Sequence, residues 1–131
     1  MLKLEIVTPE SSVFDREVDS VTIPTANGEI GVMPNHLPLV SALKPGVLTY
    51  TVKGSTDRIA VSSGFVEISG NQVSVLTDAA DTAAEVDIES ARADKEAAEK
   101  ALAAAANAPV EENEPLREKL DAANARLALG K

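Results

Sequence analysis

Side chains that could do chemistry are few in this sequence, and they are poorly grouped. His36 is the only histidine, and the chain contains no cysteine. A catalytic base or a metal ligand needs partner groups at suitable spacing, such as a nucleophile, a second histidine or a thiolate. His36 stands between Pro34 and Pro38 without such a partner. We therefore interpret His36 as a loop or interface residue, and we predict no catalytic residue and no metal site.

Two weaker patterns could be reaction centres. Asp78 and Asp81 could form a carboxylate pair of the kind that hydrolyses glycosides, but no aromatic residue that would stack on a sugar is near in sequence. Solvated linker charges are the favoured interpretation. Gly28-Glu29-Ile30-Gly31 resembles part of a phosphate loop but lacks the lysine and the helix start that such loops need. The sequence predicts a protein that is not an enzyme.

Composition limits the classes of partner. The 131 residues carry a formal net charge of −9, which repels nucleic acid and anionic lipid. The N-terminus has no signal-peptide core, and no apolar run reaches the ~18 residues of a membrane span. We expect one domain, or a small domain with an appendage, and a membrane link only through a partner. Because 44% of residues are hydrophobic but only 2% aromatic, the core must be aliphatic.

The N-terminal part, residues 1–83, has the pattern of short strands. Leu2, Leu4 and Ile6 alternate with charged residues, which is typical of a half-buried strand, and similar runs continue to Thr77 between Gly and Asn turns. The predicted fold is α+β: an N-terminal antiparallel β-sandwich, or flattened barrel, followed by a C-terminal antiparallel α-helical hairpin.

Residues 27–38 are the most narrowly specified stretch. Asn27-Gly28 predicts a tight hairpin turn, and Gly31 within an apolar run predicts a bulge or a close backbone approach. Pro34 and Pro38 remove two backbone donors. So much backbone constraint with so little charge indicates a shaped surface.

Residues 84–131 are rich in alanine, charge and leucine, which predicts the helical hairpin. Thr82–Glu85 and Asp87 both offer helix-start chemistry, and Asn107-Ala108-Pro109 should end the first helix. The second helix is predicted from about Pro115 to Leu129, with Gly130 as its C-cap residue. Since alanine buries little apolar surface, the hairpin should be helical by propensity but weakly docked.

Four segments in this order resemble the epsilon subunit of bacterial and chloroplast-type F-type ATP synthases. They are the run from Gly28 to Leu39, Gly46-Val47-Leu48, Ser63-Gly64-Phe65-Val66-Glu67, and Val75-Leu76-Thr77-Asp78-Ala79. The resemblance covers essentially the full length. It implies a non-catalytic central-stalk (rotor) subunit that couples c-ring rotation to the catalytic head and restrains ATP hydrolysis through a mobile hairpin.

The resemblance also implies partners and sites. The sandwich would bind the gamma subunit and the polar loops of the c-ring, with the interface at Glu29, Ile30, Met33, His36 and Leu37. The second helix of an extended hairpin would contact the alpha and beta catalytic subunits transiently through Arg117, Lys119 and Arg126. The protein would then lie at the cytoplasmic face of the plasma membrane as a peripheral, complex-bound subunit that needs no cofactor.

One family pattern is incomplete here. Members that bind ATP carry Ile/Leu-Asp-x-x-Arg-Ala at the start of the first helix, and this chain has Val86-Asp87-Ile88-Glu89-Ser90-Ala91. Asp87 and Ala91 match, but Ser90 replaces the arginine and cannot supply its charge-assisted hydrogen bonds. We expect weak or absent ATP binding, with Asp87 acting as a helix N-cap.

Two other functions stay open at this point. The chain could be a stand-alone β-sandwich that binds a protein or a small ligand under a helical lid, or a small hydrolase, which the missing catalytic groups argue against. Whether the hairpin is folded or extended at rest is open as well.

Overall fold

The computed structural model describes residues 1–105 and 110–129; the side chains of His36 and of residues 110–112 lie outside that description. Ten strands precede two helices, in the predicted order of β-sandwich and helical hairpin. The elements are β1 (Leu2–Val7), β2 (Ser12–Val18), β3 (Ser20–Thr25), β4 (Gly28–Val32), β5 (His36–Leu43), β6 (Gly46–Val52), β7 (Ser55–Val61), β8 (Gly64–Gly70), β9 (Gln72–Thr77), β10 (Ala80–Thr82), α1 (Ile88–Ala104) and α2 (Val110–Leu129).

The strands form one continuous sheet that folds over into two layers. Its order is β10-β7-β6-β3-β5-β8-β9-β1-β2, with β4 paired to β3. Strands β3 and β5 meet only where Thr25 pairs with Leu43, which is where one layer passes into the other. At the other seam, the rings of Phe14 on β2 and Tyr50 on β6 lie 4.8 Å apart. The result is the predicted sandwich, nearly closed into a barrel.

The core lies between the two layers and is aliphatic, as the composition predicted. Leu2, Leu4 and Ile6 are fully buried, so the alternation along β1 marks its inner face. Residues from both layers join them, and Tyr50 is the one aromatic side chain of this buried cluster within the described residues. Each large aliphatic side chain removed from water contributes roughly 1.5–3 kcal/mol. The predicted fold class is confirmed.

One strand pairing adds a detail that the pattern did not contain. β1 forms the expected antiparallel pair with β2, but its other neighbour, β9, runs parallel to it, with Ile6 opposite Val75. A parallel pair needs a long connection, and here seven strands separate the two along the chain. Alternation within a strand reports which face is buried and carries no information on the direction of a distant neighbour.

The first helix begins at the second of the two predicted start signals. Asp87 is the N-cap of α1, and its side chain accepts a hydrogen bond from the Ser90 N–H at 3.0 Å. The Thr82–Glu85 segment forms a turn before the helix, in which the Thr82 hydroxyl donates to the Glu85 carboxylate at 2.8 Å. This turn lies between β10 and α1, so the chain changes direction there before the helix begins.

The second helix begins earlier than predicted. It starts at Val110 rather than at about Pro115, so Pro115 lies inside the helix. Pro115 is the sixth residue of this helix, so it removes one intrahelical backbone donor and its ring crowds the carbonyl one turn earlier. Of the other predicted boundaries, Asn107-Ala108-Pro109 and Gly130 lie outside the described residues.

The two helices pack together, and α2 also rests on β6 and β7. The buried residues at this contact are Ala60 on β7, and Ala125 and Leu129 on α2. Val47 and Val86 pack at its margin. An interface with one buried leucine supplies little hydrophobic stabilisation, because a fully buried leucine is worth roughly 1.5–3 kcal/mol and alanine much less.

Candidate partner-binding surfaces

Residues 27–38 form the β3–β4 turn, strand β4, a short loop and the start of β5. The turn lies one residue earlier than predicted, at Ala26 and Asn27, and Gly28 follows with a φ of 104°. The Thr25 hydroxyl closes the turn by donating to the Gly28 carbonyl at 2.6 Å. A left-handed residue directly after a two-residue turn is where glycine is needed.

Of the two alternatives predicted for Gly31, the bulge is absent and a close backbone approach stays a prediction. Gly31 pairs in regular register with Thr22. A Cβ at this position would meet nothing within 4 Å. The chain itself therefore gives Gly31 no steric reason to lack a side chain, and its exposed backbone is open to close approach from outside.

The loop after β4 is held in a strained conformation by a distant residue. Asn35 has a φ of 67°, which is uncommon for a residue with a side chain. Its N–H donates to the Asn71 side-chain oxygen at 2.7 Å, and the Asn71 carbonyl accepts from the Lys3 N–H at 2.8 Å. The turn between β8 and β9 thus fixes the backbone between Met33 and Leu37.

The five residues predicted at the gamma and c-ring interface lie along β4, the loop after it and the start of β5. Glu29 is exposed beside the β3–β4 turn, whereas Met33 follows the far end of β4, about 13 Å away at 3.3 Å per residue. Met33 and Leu37 are 66% and 80% exposed. Ile30 is half-buried and packs against the core. The backbone of His36 pairs with Gly70, so it belongs with Met33 and Leu37, and its side chain is outside the description.

A second exposed surface was missed by the sequence reasoning. Phe65 on β8 lies opposite Leu76 on β9 and opposite Ala42 on β5, and Leu76 also pairs with Val7 on β1. We call these four residues the outer apolar row. Phe65 is 61% exposed and Leu76 52% exposed, and Val40, two residues before Ala42, is exposed as well. The sequence did contain a signal for this surface, because Phe65 alternates along β8 with the inward-facing Val66 and Ile68.

The outer apolar row and the hairpin lie on different parts of the sheet. The row belongs to strands β1, β5, β8 and β9, whereas α2 packs on β6 and β7, across the sandwich core. A partner bound to the row is therefore compatible with a docked hairpin.

The three basic residues predicted on the second helix have different surroundings. Arg117 and Lys119 are exposed, and neither makes an ion pair within the part of the chain that the structure describes. Arg126 is only 22% exposed and contacts two carboxylates. Its Nε lies 3.2 Å from Asp81 Oδ2, and its Nη1 donates to Asp94 Oδ2 at 3.0 Å. In this conformation Arg126 is engaged by the chain itself.

The incomplete ATP pattern lies at the beginning of α1. Asp87 acts as the N-cap, Ser90 is exposed, and Ala91 is fully buried. The geometry of Asp87 is the one predicted for a helix cap, with the Ser90 N–H as donor. No arginine stands at the position that would present a guanidinium from the first helical turn.

Residues 1–105 and 110–129 contain no group of side chains with the arrangement of a metal site, because no three His, Asp or Glu side chains in these ranges come close enough together to hold an ion. A groove of about 730 Å³ runs between the sandwich edge and the hairpin, and its polar lining includes Ser63, Asp78, Asp94, Lys119 and Arg126. Neither described helix is long and apolar enough to cross a membrane.

Comparison with known proteins gives one consistent answer. A family model described as "ATP synthase, Delta/Epsilon chain, beta-sandwich domain" matches residues 1–83. The ATP synthase epsilon chain of Desulfitobacterium hafniense is 48% identical over 99 residues, which is 76% of this chain and 75% of that protein. The epsilon chain of Nitratidesulfovibrio vulgaris is 43% identical over 128 residues, covering 98% of this chain and 87% of its own length.

Solved structures agree on the fold. A chain in the Euglena gracilis mitochondrial ATP synthase assembly of OSCP, F1 and c-ring superposes with a TM-score of 0.76 at 25% identity, covering 97% of this chain and 79% of that one. A chain of the Tetrahymena thermophila mitochondrial ATP synthase central stalk and c-ring, at 18% identity, shares the fold with a TM-score of 0.53 over 65% of this chain and 69% of its own. By sequence over nearly its whole length and by the arrangement of sandwich and hairpin, the chain belongs to the family of ATP synthase epsilon chains.

Proposed function

We propose that this chain is a non-catalytic subunit of the ATP synthase rotor, placed between the gamma subunit and the c-ring, and that its hairpin regulates ATP hydrolysis. The observation that carries the proposal is the division of the sandwich surface. One part holds α2, and the outer apolar row on the other side stays uncovered by the described chain. A sandwich with two such surfaces can bind a permanent partner and a mobile element at the same time.

We expect the outer apolar row to bind the gamma subunit. Phe65, Leu76 and Val40 are large exposed side chains on neighbouring strands, and an exposed apolar patch of this kind marks a protein interface. Met33 and Leu37 extend the apolar surface toward the loop that Asn71 fixes. A partner that remains bound during rotation needs such a rigid, preformed surface.

We expect Glu29 to contact the polar loops of the c-ring. It is exposed beside the β3–β4 turn, at the end of β4 away from Met33. The neighbouring Gly31 leaves the backbone of β4 open to close approach. The subunit would reach the membrane only through these loops, and we place it at the cytoplasmic face of the plasma membrane.

The hairpin has the properties that a regulatory element needs. The buried part of its docking surface is two alanines and one leucine, with two valines at the margin, so undocking costs little hydrophobic stabilisation. Exposed Arg117 and Lys119 are available to the alpha and beta catalytic subunits, whereas Arg126 becomes available only after undocking. Two states that differ by a few kcal/mol are what a switch requires. We propose no bound cofactor, and ATP binding that is weak or absent because Ser90 replaces the arginine.

The test uses the cognate synthase core stripped of this subunit. ATP hydrolysis is compared after addition of the full-length chain or of a chain that ends at Thr82, which keeps all ten strands. Suppression by the full-length chain alone supports the regulatory hairpin. Equal binding without suppression would leave a coupling subunit whose helices are structural. Absence of binding by either chain contradicts the proposal and favours the stand-alone binding module.

A further inference from the structure

Arg126 connects three parts of the molecule through two carboxylates. Asp81 lies on β10 in the sandwich, Asp94 lies on α1, and Arg126 lies on α2. The Arg126–Asp94 contact is a hydrogen-bonded ion pair, whereas the Nε–Asp81 contact is an ion pair whose geometry is not that of a hydrogen bond. Asp81 and Arg126 are 29% and 22% exposed, so water screens this pair less than a pair at the open surface.

The two ion pairs have separate tasks. The pair with Asp94 joins α2 to α1 and stays within the hairpin. The pair with Asp81 joins the hairpin to the sandwich, and it lies directly beside the small apolar contact of Ala125 with Ala60. The Asp81–Arg126 pair therefore adds a specific polar contact to this small apolar one at the junction of hairpin and sandwich.

We propose that Asp81 pins the docked hairpin to the sandwich through Arg126, whose guanidinium Asp94 holds in place from α1, and that an acidic partner must displace Asp81 to reach Arg126. The inference rests on the proposed function, since it names the residues that set the hairpin's resting state. Arg117 and Lys119 remain exposed while α2 is docked, so an acidic surface can contact them first. It gains Arg126 only by competing with Asp81.

The first experiment measures docking in the isolated full-length chain. The natural sequence has no cysteine, so Thr56→Cys on β7 and Asn124→Cys on α2, both at exposed positions, allow spin labels at two defined sites. The distance distribution between them gives the ratio of docked to undocked hairpin. Asp81→Asn should lower that ratio about fivefold at low salt, the upper range for such a pair, and Asp94→Asn should lower it less.

Glu99→Gln is the matched control. Glu99 is an exposed carboxylate on α1 without an ion pair in the described chain, so the change removes one negative charge and no contact. Equal ratios for wild type, Asp81→Asn and Glu99→Gln would overturn the pin.

The second experiment tests the competition in the stripped synthase core. Asp81→Asn and Arg126→Gln both release the hairpin, but only Asp81→Asn leaves Arg126 for the partner. Asp81→Asn should therefore inhibit hydrolysis at about fivefold lower concentration than wild type, whereas Arg126→Gln should not gain potency. Identical potency of the two variants would overturn the competition. If the wild type does not inhibit hydrolysis at all, the proposed regulatory function is wrong, and so is the competition for Arg126. The spin-label measurement still tests independently whether Asp81 holds the hairpin on the sandwich.

Discussion

Phe65 on β8 and Leu76 on β9 form a directly opposed cross-strand pair on the outer face of the sandwich, 61% and 52% exposed. The pair belongs to a row that continues to Ala42 and Val7, on the side of the sheet away from α2. Nothing in the described chain covers these side chains. The pair is therefore the strongest structural indication of a partner surface in this molecule.

We predict that Phe65→Ser combined with Leu76→Ser weakens binding to the gamma subunit by at least tenfold. Large apolar side chains at the centre of an interface commonly contribute more than about 1 kcal/mol each. Because both side chains are exposed in the isolated chain, its free energy of unfolding should fall by only about 0.5 kcal/mol for each change. Calorimetric titration with isolated gamma and urea unfolding measure the two effects.

Glu29→Gln serves as the control for that experiment. Glu29 lies beside the β3–β4 turn, away from the centre of the outer apolar row. The variant should bind gamma like the wild type and reduce coupling in the reconstituted synthase. Unchanged gamma affinity in the double serine variant would remove the outer row from the interface.

Gly64 and Gly31 should respond oppositely to alanine. A Cβ at Gly64 would collide with the backbone carbonyl of Leu76, whereas a Cβ at Gly31 would meet nothing within 4 Å. Gly64→Ala should destabilise the chain by about 1–3 kcal/mol, because a β8–β9 shift would be needed to make room. Gly31→Ala should be neutral, or stabilising by up to about 1 kcal/mol. Urea unfolding of both variants distinguishes them; equal stabilities would refute the steric argument.

Loss of the Asn71 side chain should loosen the loop before β5. Asn71→Ala removes the acceptor for the Asn35 N–H and leaves the left-handed Asn35 without its support. We expect a loss of about 1 kcal/mol in unfolding free energy, typical of one hydrogen bond. The Asn35 amide should also exchange with solvent faster. Asn124→Ala on the exposed surface of α2 is the control, and an unchanged Asn35 exchange rate would contradict the assignment.

Tyr50 should make the fold sensitive to alkali. Burial, and then the negative charge of Asp57, raise the pKa of Tyr50 above its ordinary value of 10.0, while Arg16 acts in the opposite direction. The folded chain therefore holds this proton more tightly than the unfolded chain. Stability from Tyr50 is fully present below pH 10.0 and is lost as pH rises through the folded-state pKa. Tyr50→Phe should flatten the decline in unfolding free energy above pH 10.0; a decline of unchanged slope would assign it to other groups.

ATP binding should depend on the residue at position 90. The natural chain should give no calorimetric signal at low millimolar ATP, because Ser90 offers no guanidinium to the phosphates. Ser90→Arg, at an exposed position beside the Asp87 cap, should introduce binding. Ser90→Lys is the control for charge alone. Tight binding by the natural chain would show that Asp87 and Ala91 suffice.

Much of the fold was determined by the sequence itself, because strand and helix identity are local properties. Alternation along β1 predicted which side chains are buried, and the low aromatic content predicted an aliphatic core. The change to alanine and charge after residue 83 predicted the hairpin. Asp87 was one of two helix-start signals in the sequence, and the structure decided between them. The segments that resemble the epsilon subunit could also be identified from the sequence alone, because each is a short continuous run.

The tertiary structure alone decided the relationships between distant segments. The outer apolar row exists only because the registers of β5, β8, β9 and β1 place its four members side by side. The parallel β1–β9 pair and the Asn35–Asn71 bond have the same origin. Arg126 was predicted from the sequence as a contact to other subunits, yet docking of α2 brings it to Asp81 and Asp94. Residue type fixes what a side chain can bind, whereas packing and register decide which partner lies within reach.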